Sequence, residues 1–287
     1  MATINTVGVL GAGTMGNGIA QVFSQAGKKV IVVDTFPGAL EKAKAGIEKS
    51  VRRMAEKAGK DPAAEAGAVL GRLSFGADMA AFEACDLVVE AIIEDLAAKT
   101  DAFRRIDAVA PAHAILASNT SSISITKIAA TTKRPGQVIG MHFMNPVPVM
   151  KLVEIIRGHL TSPETTAAVV EASKAVGKIP VEASDYPGFV SNRVLLPMIN
   201  EAIFCLHEGV ATREAIDEVM KLGMNHPIGP LALADLIGND VCLAILEVLQ
   251  RDLGDDKYRP CPLLRRMVAA GLLGRKSGRG FFEYDRK

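Results

Sequence analysis

The sequence predicts an α/β protein: a doubly wound, mainly parallel sheet followed by an all-α C-terminal domain. Three observations predict it. Short, continuous apolar runs alternate with helix-like segments over the first two thirds of the chain, as strands buried on both faces do. A glycine-rich turn joins the first apolar run to the first helix-like segment. After Gly188 strand signals fade, and helical periodicity dominates to Gly271.

The elements follow in order. Thr6 to Leu10 reads as a strand, Thr14 to Gln25 as a helix stopped by Gly27, and Val30 to Val33 as a second buried strand. A long helix spans Gly38 to Gly59, and the Ala/Gly-rich stretch from Gly59 to Gly71 reads as a loop. Leu87 to Ile92, Ala114 to Ala117, Val138 to Met141 and Lys151 to Arg157 are further strands. Ser162 and Pro163 open a helix as N-cap and first helical residue, and Gly177 closes it. Asp185-Tyr186-Pro187-Gly188 punctuates the chain, which sets domains at 1–187 and 188–287. In the second, Thr212 caps a helix that Gly223 stops.

Composition narrows the function classes. The chain has 287 residues, 49% of them hydrophobic and 23% charged, enough for two well-packed domains. A net charge of +1 argues against generic nucleic-acid binding. Cys85, Cys205, Cys242 and Cys261 form no CxxC pair and no Cys/His spacing, so no metal is expected and a reducing, cytoplasmic setting is. The first charged residue is Lys28, which leaves no basic leader, and no apolar run of ~18 residues predicts a membrane span.

Gly11-Ala12-Gly13-Thr14-Met15-Gly16 fits GxGxxG in its proper context, with a strand before and a helix after. Gly11 permits the tight turn, and Gly13 lets backbone N–H groups approach a pyrophosphate at the helix N-terminus. Gly16 lets helix and sheet pack closely. Asp34 ends the second strand, 18 residues after Gly16. A carboxylate there accepts from ribose hydroxyls and repels a 2′-phosphate, favouring NAD over NADP. The same fingerprint serves FAD, so the motif alone leaves the flavin open.

Two polar segments end strands, where open α/β sheets bind ligands. In Ser118-Asn119-Thr120-Ser121-Ser122, Ser121 is a site candidate and Ser122 a helix cap. In the other, His142 closes an apolar strand before a proline-rich turn, and Glu154 lies 12 residues on, inside a second apolar strand. A carboxylate buried there needs a partner. A strand-turn-strand arrangement supplies His142, and the pair suits proton removal from an alcohol. His113, His159, His207 and His226 lack such a partner signal and read as structural or surface residues. Lys49, Arg52, Arg53, Lys57 and Lys60, with Ser50 at their edge, share one helix side. They form either a solvated face or a site for an anionic substrate handle.

Taken with the runs His142-Phe143-Met144-Asn145-Pro146-Val147-Pro148, Pro187-Gly188-Phe189-Val190-Ser191-Asn192-Arg193, Asn225-His226-Pro227-Ile228-Gly229-Pro230 and Gly274-Arg275-Lys276-Ser277-Gly278-Arg279-Gly280-Phe281, these motifs resemble the NAD-dependent L-3-hydroxyacyl-CoA dehydrogenases. The compact bacterial 3-hydroxybutyryl-CoA group is most alike. The resemblance covers essentially the whole chain and implies a Rossmann-type NAD domain, then a helical domain for substrate binding and homodimer formation. It implies His142 as general base with Glu154 as its partner, and Ser121 and Asn192 on the 3-oxygen and thioester end of the substrate. It implies Asp34 on the adenosine ribose, with Glu94, Lys99, Ser121, Asn145 and Lys276 along the rest of the NAD site. Ser50 and Lys57 would meet CoA. Met144 departs from the Phe common in the family, which leaves that wall's shape open. Two rival readings are a dehydrogenase of free β-hydroxyacids and a non-catalytic protein on the same scaffold, crystallin-like or NAD-sensing.

Overall fold

The computed structural model describes residues 4–285, and the chain divides into two compact units between Tyr186 and Pro187. The first unit runs β1 (Thr6–Leu10), α1 (Thr14–Gln25), β2 (Lys29–Val33), α2 (Ala39–Lys57), α3 (Pro62–Leu70), β3 (Leu73–Gly76), β4 (Leu87–Glu90), α4 (Leu96–Val109), β5 (Ile115–Ser118), α5 (Ile125–Ala129), β6 (Val138–Phe143), β7 (Leu152–Arg157), α6 (Pro163–Ala175) and β8 (Ile179–Ser184). Its eight strands lie in the order β3-β2-β1-β4-β5-β6-β7-β8. Every neighbouring pair is parallel except β6 and β7, which are antiparallel.

Burial explains the apolar runs. Val7, Val9, Leu87, Val89, Ile139 and Met141 form one core with residues of α1, α2, α3 and α6. Alternate residues face the other way, where a Cβ on Gly8 would sit 2.7 Å from the Phe82 ring and where α4 packs on β4 and β5. With both faces covered, the inner strands carry no polar alternation.

Three expectations need correction. The segment read as a loop from Gly59 to Gly71 holds helix α3. Asp61 Oδ1 accepts from Ala63 N at 2.8 Å, Pro62 takes the first helical position, and the alanines favour helix while Ala66 and Val69 are buried. Ser122 does not cap the next helix; Ser124 does, its side chain accepting from Lys127 N. The edge strands β3 and β8 escaped detection because no residue of either is fully buried, so neither reads as an apolar run.

The second unit is helical: α7 (Ser191–His207), α8 (Arg213–Gly223), α9 (Pro230–Ile237), α10 (Asn239–Leu253) and α11 (Pro262–Ala269). Leu196, Ile199, Ile203, Leu231, Leu246, Leu249 and Leu264 build its core. Thr212 caps α8 by accepting from Ala215 N at 3.3 Å.

Candidate active site

The glycine loop forms one wall of a cavity of about 940 Å³ at the C-terminal ends of β1 and β2. Gly11 has φ +102°, and a Cβ there would lie 2.6 Å from Ala91 O. At Gly16 a Cβ would lie 1.8 Å from Gly11 O, so the turn closes only without side chains. Gly13, by contrast, has nothing within 4 Å of an added Cβ; its bareness keeps backbone accessible on the cavity side. No side chain caps α1, so its first N–H groups remain for an anion. Asp34 also lines the cavity, steadied by Ala12 N at 2.7 Å and Phe36 N at 2.8 Å. An open helix N-terminus next to a positioned carboxylate fits the pyrophosphate and ribose of a dinucleotide.

The antiparallel turn between β6 and β7 sets His142 directly opposite Glu154 in register, so both side chains leave the same face. His142 Nδ1 lies 2.8 Å from Glu154 Oε2, with the two residues 8% and 3% exposed. A carboxylate only accepts, which puts the imidazole proton on Nδ1 and makes Nε2 the basic nitrogen. The arrangement can receive a proton at Nε2 and spread the resulting charge over a buried ion pair.

Next to it, the turn after β5 is gathered onto one carboxylate. Glu94 Oε1 accepts from Thr120 Oγ1 at 2.6 Å, Ser121 N at 2.8 Å and Ser121 Oγ at 3.2 Å. Ser122 N and Oγ reach the same oxygen, each at 3.1 Å. Burial pushes the Glu94 carboxyl up, but the Lys99 ammonium and these hydrogen bonds outweigh it and hold the group below the usual carboxylate range. Asn119 Oδ1 accepts from Phe143 N at 3.0 Å and so ties this turn to the strand carrying His142.

The remaining candidates are placed as follows. Thr14 is exposed and Met15 half-buried at the start of α1. Asn145 is exposed in the turn after β6. Lys57 is exposed and Ser50 half-buried on α2, whose charged side also carries an Arg52–Glu48 ion pair at 2.9 Å. In the second unit, Asn192 is buried in the first turn of α7, and Lys276 Nζ lies 2.6 Å from the Asp240 carboxylate. Lys99 is 1% exposed, with Nζ 2.5 Å from Glu90 Oε1 and 3.4 Å from Glu94 Oε2. Glu90, fully buried, went unnoticed in the sequence, although it carries the signal that exposed Glu154: a carboxylate inside an apolar run. Among the described residues no group of three or more His, Cys, Asp or Glu side chains is arranged to hold a metal.

A dinucleotide cradle and a buried imidazole–carboxylate pair on one sheet define an NAD-dependent oxidoreductase acting on an alcohol. The family models specify it further: residues 6–186 match the NAD-binding domain of 3-hydroxyacyl-CoA dehydrogenase, and residues 188–284 match its C-terminal domain. The chain belongs to the 3-hydroxyacyl-CoA dehydrogenase family. It is 50% identical to a 3-hydroxybutyryl-CoA dehydrogenase of Clostridioides difficile, over 97% of this chain and 99% of that one. To the mitochondrial hydroxyacyl-coenzyme A dehydrogenase of Homo sapiens it is 43% identical, over 98% of this chain and 91% of the relative. The crystal structure of the (S)-3-hydroxybutyryl-CoA dehydrogenase of Ralstonia eutropha superposes with a TM-score of 0.96 at 51% identity, covering 99% of this chain and all of that one.

Proposed function

We propose that this enzyme interconverts short-chain (S)-3-hydroxyacyl-CoA and 3-oxoacyl-CoA, with 3-hydroxybutyryl-CoA and acetoacetyl-CoA as its pair. The observation that carries the chemistry is the buried His142–Glu154 contact of 2.8 Å between β6 and β7, on the same sheet as the cofactor cradle. NAD, when bound, is the two-electron acceptor for the carbon being oxidised. The chain's own residues handle the proton: His142 Nε2 takes it from the C3 hydroxyl, and Glu154 orients the ring and stabilises the imidazolium. In the reducing direction His142 returns that proton to the forming alkoxide. Ser121 and Asn192 are assigned to the 3-oxygen and thioester end of the substrate. Glu94, Asn145 and Lys276 are assigned, with the glycine loop and Asp34, to the cofactor. Ser50 and Lys57 are assigned to CoA, supported by the basic exposed side of α2.

Identity at 50% with a named 3-hydroxybutyryl-CoA dehydrogenase supports the short chain. A series of 3-oxoacyl-CoA substrates from C4 upward, followed by NADH consumption, tests it. The expected result is highest kcat/KM at C4, with free acetoacetate failing to saturate. Equal efficiency on free acetoacetate would overturn the thioester reading.

Cofactor choice gives a second expectation. Asp34→Ser removes a carboxylate held by two backbone N–H groups. Hydrogen bonds to a charged group are worth about 1.5–3 kcal/mol, so kcat/KM with NAD should fall ~10–100-fold while NADP gains relatively. An unchanged NAD/NADP ratio would take Asp34 out of the site.

The protein is further inferred to work as a homodimer through its helical unit. Val194, Val210, Val219 and Leu222 stand exposed there, which supports an apolar contact surface. A cytoplasmic setting is supported by four free cysteines, and no helix among the described residues is long and apolar enough to cross a membrane.

A further inference from the structure

We infer that Lys178 is a positioning residue: it grips the turn between β6 and β7 by two backbone carbonyls and so fixes Asn145 where it meets the dinucleotide. The inference rests on the function proposed above, in which Asn145 contacts NAD.

Local structure places this lysine. Helix α6 ends at Gly177, whose φ is +74°. Gly177 N donates to Lys174 O at 2.9 Å, and Lys178 N donates to Ser173 O at 3.0 Å. In this helix ending the second residue past the cap commonly makes an apolar contact with the last turn. Here that residue is a lysine, and it is 7% exposed. One residue later β8 begins, with Ile179 N donating to Lys151 O at 2.8 Å. The Lys178 ammonium donates to Val147 O and, at 2.8 Å, to Met150 O. Among the described residues no carboxylate pairs with it, and burial pulls the ammonium below its ordinary range.

A buried charge without a counter-charge is costly, and methionine would fill the same space without that cost. What the ammonium adds is a pair of charge-assisted hydrogen bonds to carbonyls outside the sheet ladder. The turn needs such a hold. Pairing of β6 with β7 ends at Phe143 and Val153, so residues 144–151 lie outside both strands. A connection of that length is not shaped by the hairpin itself, as a two-residue turn is. Within it, Val149 N and Met150 N both donate to Pro146 O at 3.0 Å. Two neighbours grip it from outside. Val147 is 2% exposed and packs on α1, where a Cβ on Gly18 would fall 2.7 Å from Val147 Cβ. Lys178 takes the carbonyl of that same Val147. Asn145 is exposed between the end of β6 and this gripped point, so its placement depends on the grip. His142 is independent of it, because the ladder itself sets it opposite Glu154. Lys178 therefore governs cofactor affinity and leaves proton transfer alone.

A double-mutant cycle of K178M and N145A tests this, with NADH affinity from fluorescence titration and kcat on acetoacetyl-CoA at saturating NADH. Methionine keeps the volume and removes both donors to the turn. Each single variant is expected to bind NADH ~10-fold more weakly, the scale of one lost hydrogen bond to a ligand. The double variant should bind no more weakly than N145A alone, because Lys178 acts through Asn145. In K178M kcat should stay within about threefold of the parent, the pattern of an interaction that serves binding rather than the transition state. A merely structural lysine would lower the melting temperature of K178M and leave its NADH affinity parental, and that result would overturn the inference. Additive losses, ~100-fold in the double variant, would also overturn it, since Lys178 would then act by another route. So would a kcat loss larger than the affinity loss, which would put its effect on the His142–Glu154 pair. Should K178M fail to fold, K178Q takes its place in the cycle. Its amide keeps the position polar but is neutral and one bond shorter, and parental NADH affinity in it would overturn the inference. Parental affinity in N145A would remove Asn145 from the cofactor site and the inference with it. A weakened N145A beside a parental K178M would sink the inference alone, which keeps the two failures distinct.

Discussion

Replacing His142 with alanine is expected to lower kcat ~10²–10⁴-fold, the range that positioned general acid–base groups supply, while leaving NAD affinity nearly unchanged. The asymmetry follows from location. His142 closes β6 and its contact is Glu154 on β7, whereas the glycine loop and Asp34 belong to β1, α1 and β2, across the sheet. Glu154→Gln probes the same pair more gently. An amide can turn its N–H₂ toward Nδ1, which moves the ring proton to Nε2 and removes the base without removing the ring. Its kcat should fall as well, and KM for NADH should again stay put. Steady-state kcat at saturating acetoacetyl-CoA and NADH, with NADH affinity from fluorescence titration, checks both variants. Near-parental turnover in the alanine variant would defeat the assignment of His142.

How much of this was legible in the sequence depended on the range of the interaction. The glycine loop is local: Gly11, Gly13 and Gly16 are constrained by residues within one turn and one strand, so six residues reveal it. The His142–Glu154 pair was legible because a short turn joins two strongly apolar strands, and register does the rest. Helix α3 was misread because alanine and glycine counts suggested a loop, although Asp61-Pro62 is itself a start signal. β3 and β8 sit at the two sheet edges, where half-exposure erases the continuous apolar run. Ser122 and Ser124 have the same chemistry two residues apart. Distant carboxylates decide which of them caps a helix: Glu94, 28 residues before Ser122, takes that hydroxyl, while Asp185 accepts from Ser124 Oγ and from Ile125 N and Thr126 N at the start of α5.

Long range also hid Asp235, and the second large effect is expected there. Asp235→Ala should destabilise the protein by about 3–5 kcal/mol, the scale of a buried charge network left without one member. Asp235 is 1% exposed in α9, and four donors converge on it. Oδ1 accepts from Phe281 N at 2.9 Å and Asn239 Nδ2 at 3.0 Å; Oδ2 accepts from Phe282 N at 2.9 Å and Tyr284 Oη at 3.1 Å. Two of these are backbone N–H groups that the variant would leave without an acceptor. The C-terminal segment is moulded closely around this residue. A Cβ on Gly280 would fall 1.8 Å from Asp235 Oδ1, and one on Gly274 would fall 2.3 Å from its carbonyl oxygen. At ~2–4 °C per kcal/mol for a chain of this size, the melting temperature should drop by roughly 10 °C. A drop within 2 °C (about 1 kcal/mol or less) would contradict the assignment. Tyr284 supplies an independent readout. Burial and then the Asp235 carboxylate push its phenol up to about 12, so the variant's tyrosinate absorbance should appear at lower pH. Lys276, proposed above to meet the cofactor, lies between the two glycines that Asp235 packs against. Loosening that segment should weaken NAD affinity under conditions where the variant remains folded, while His142→Ala should leave it alone.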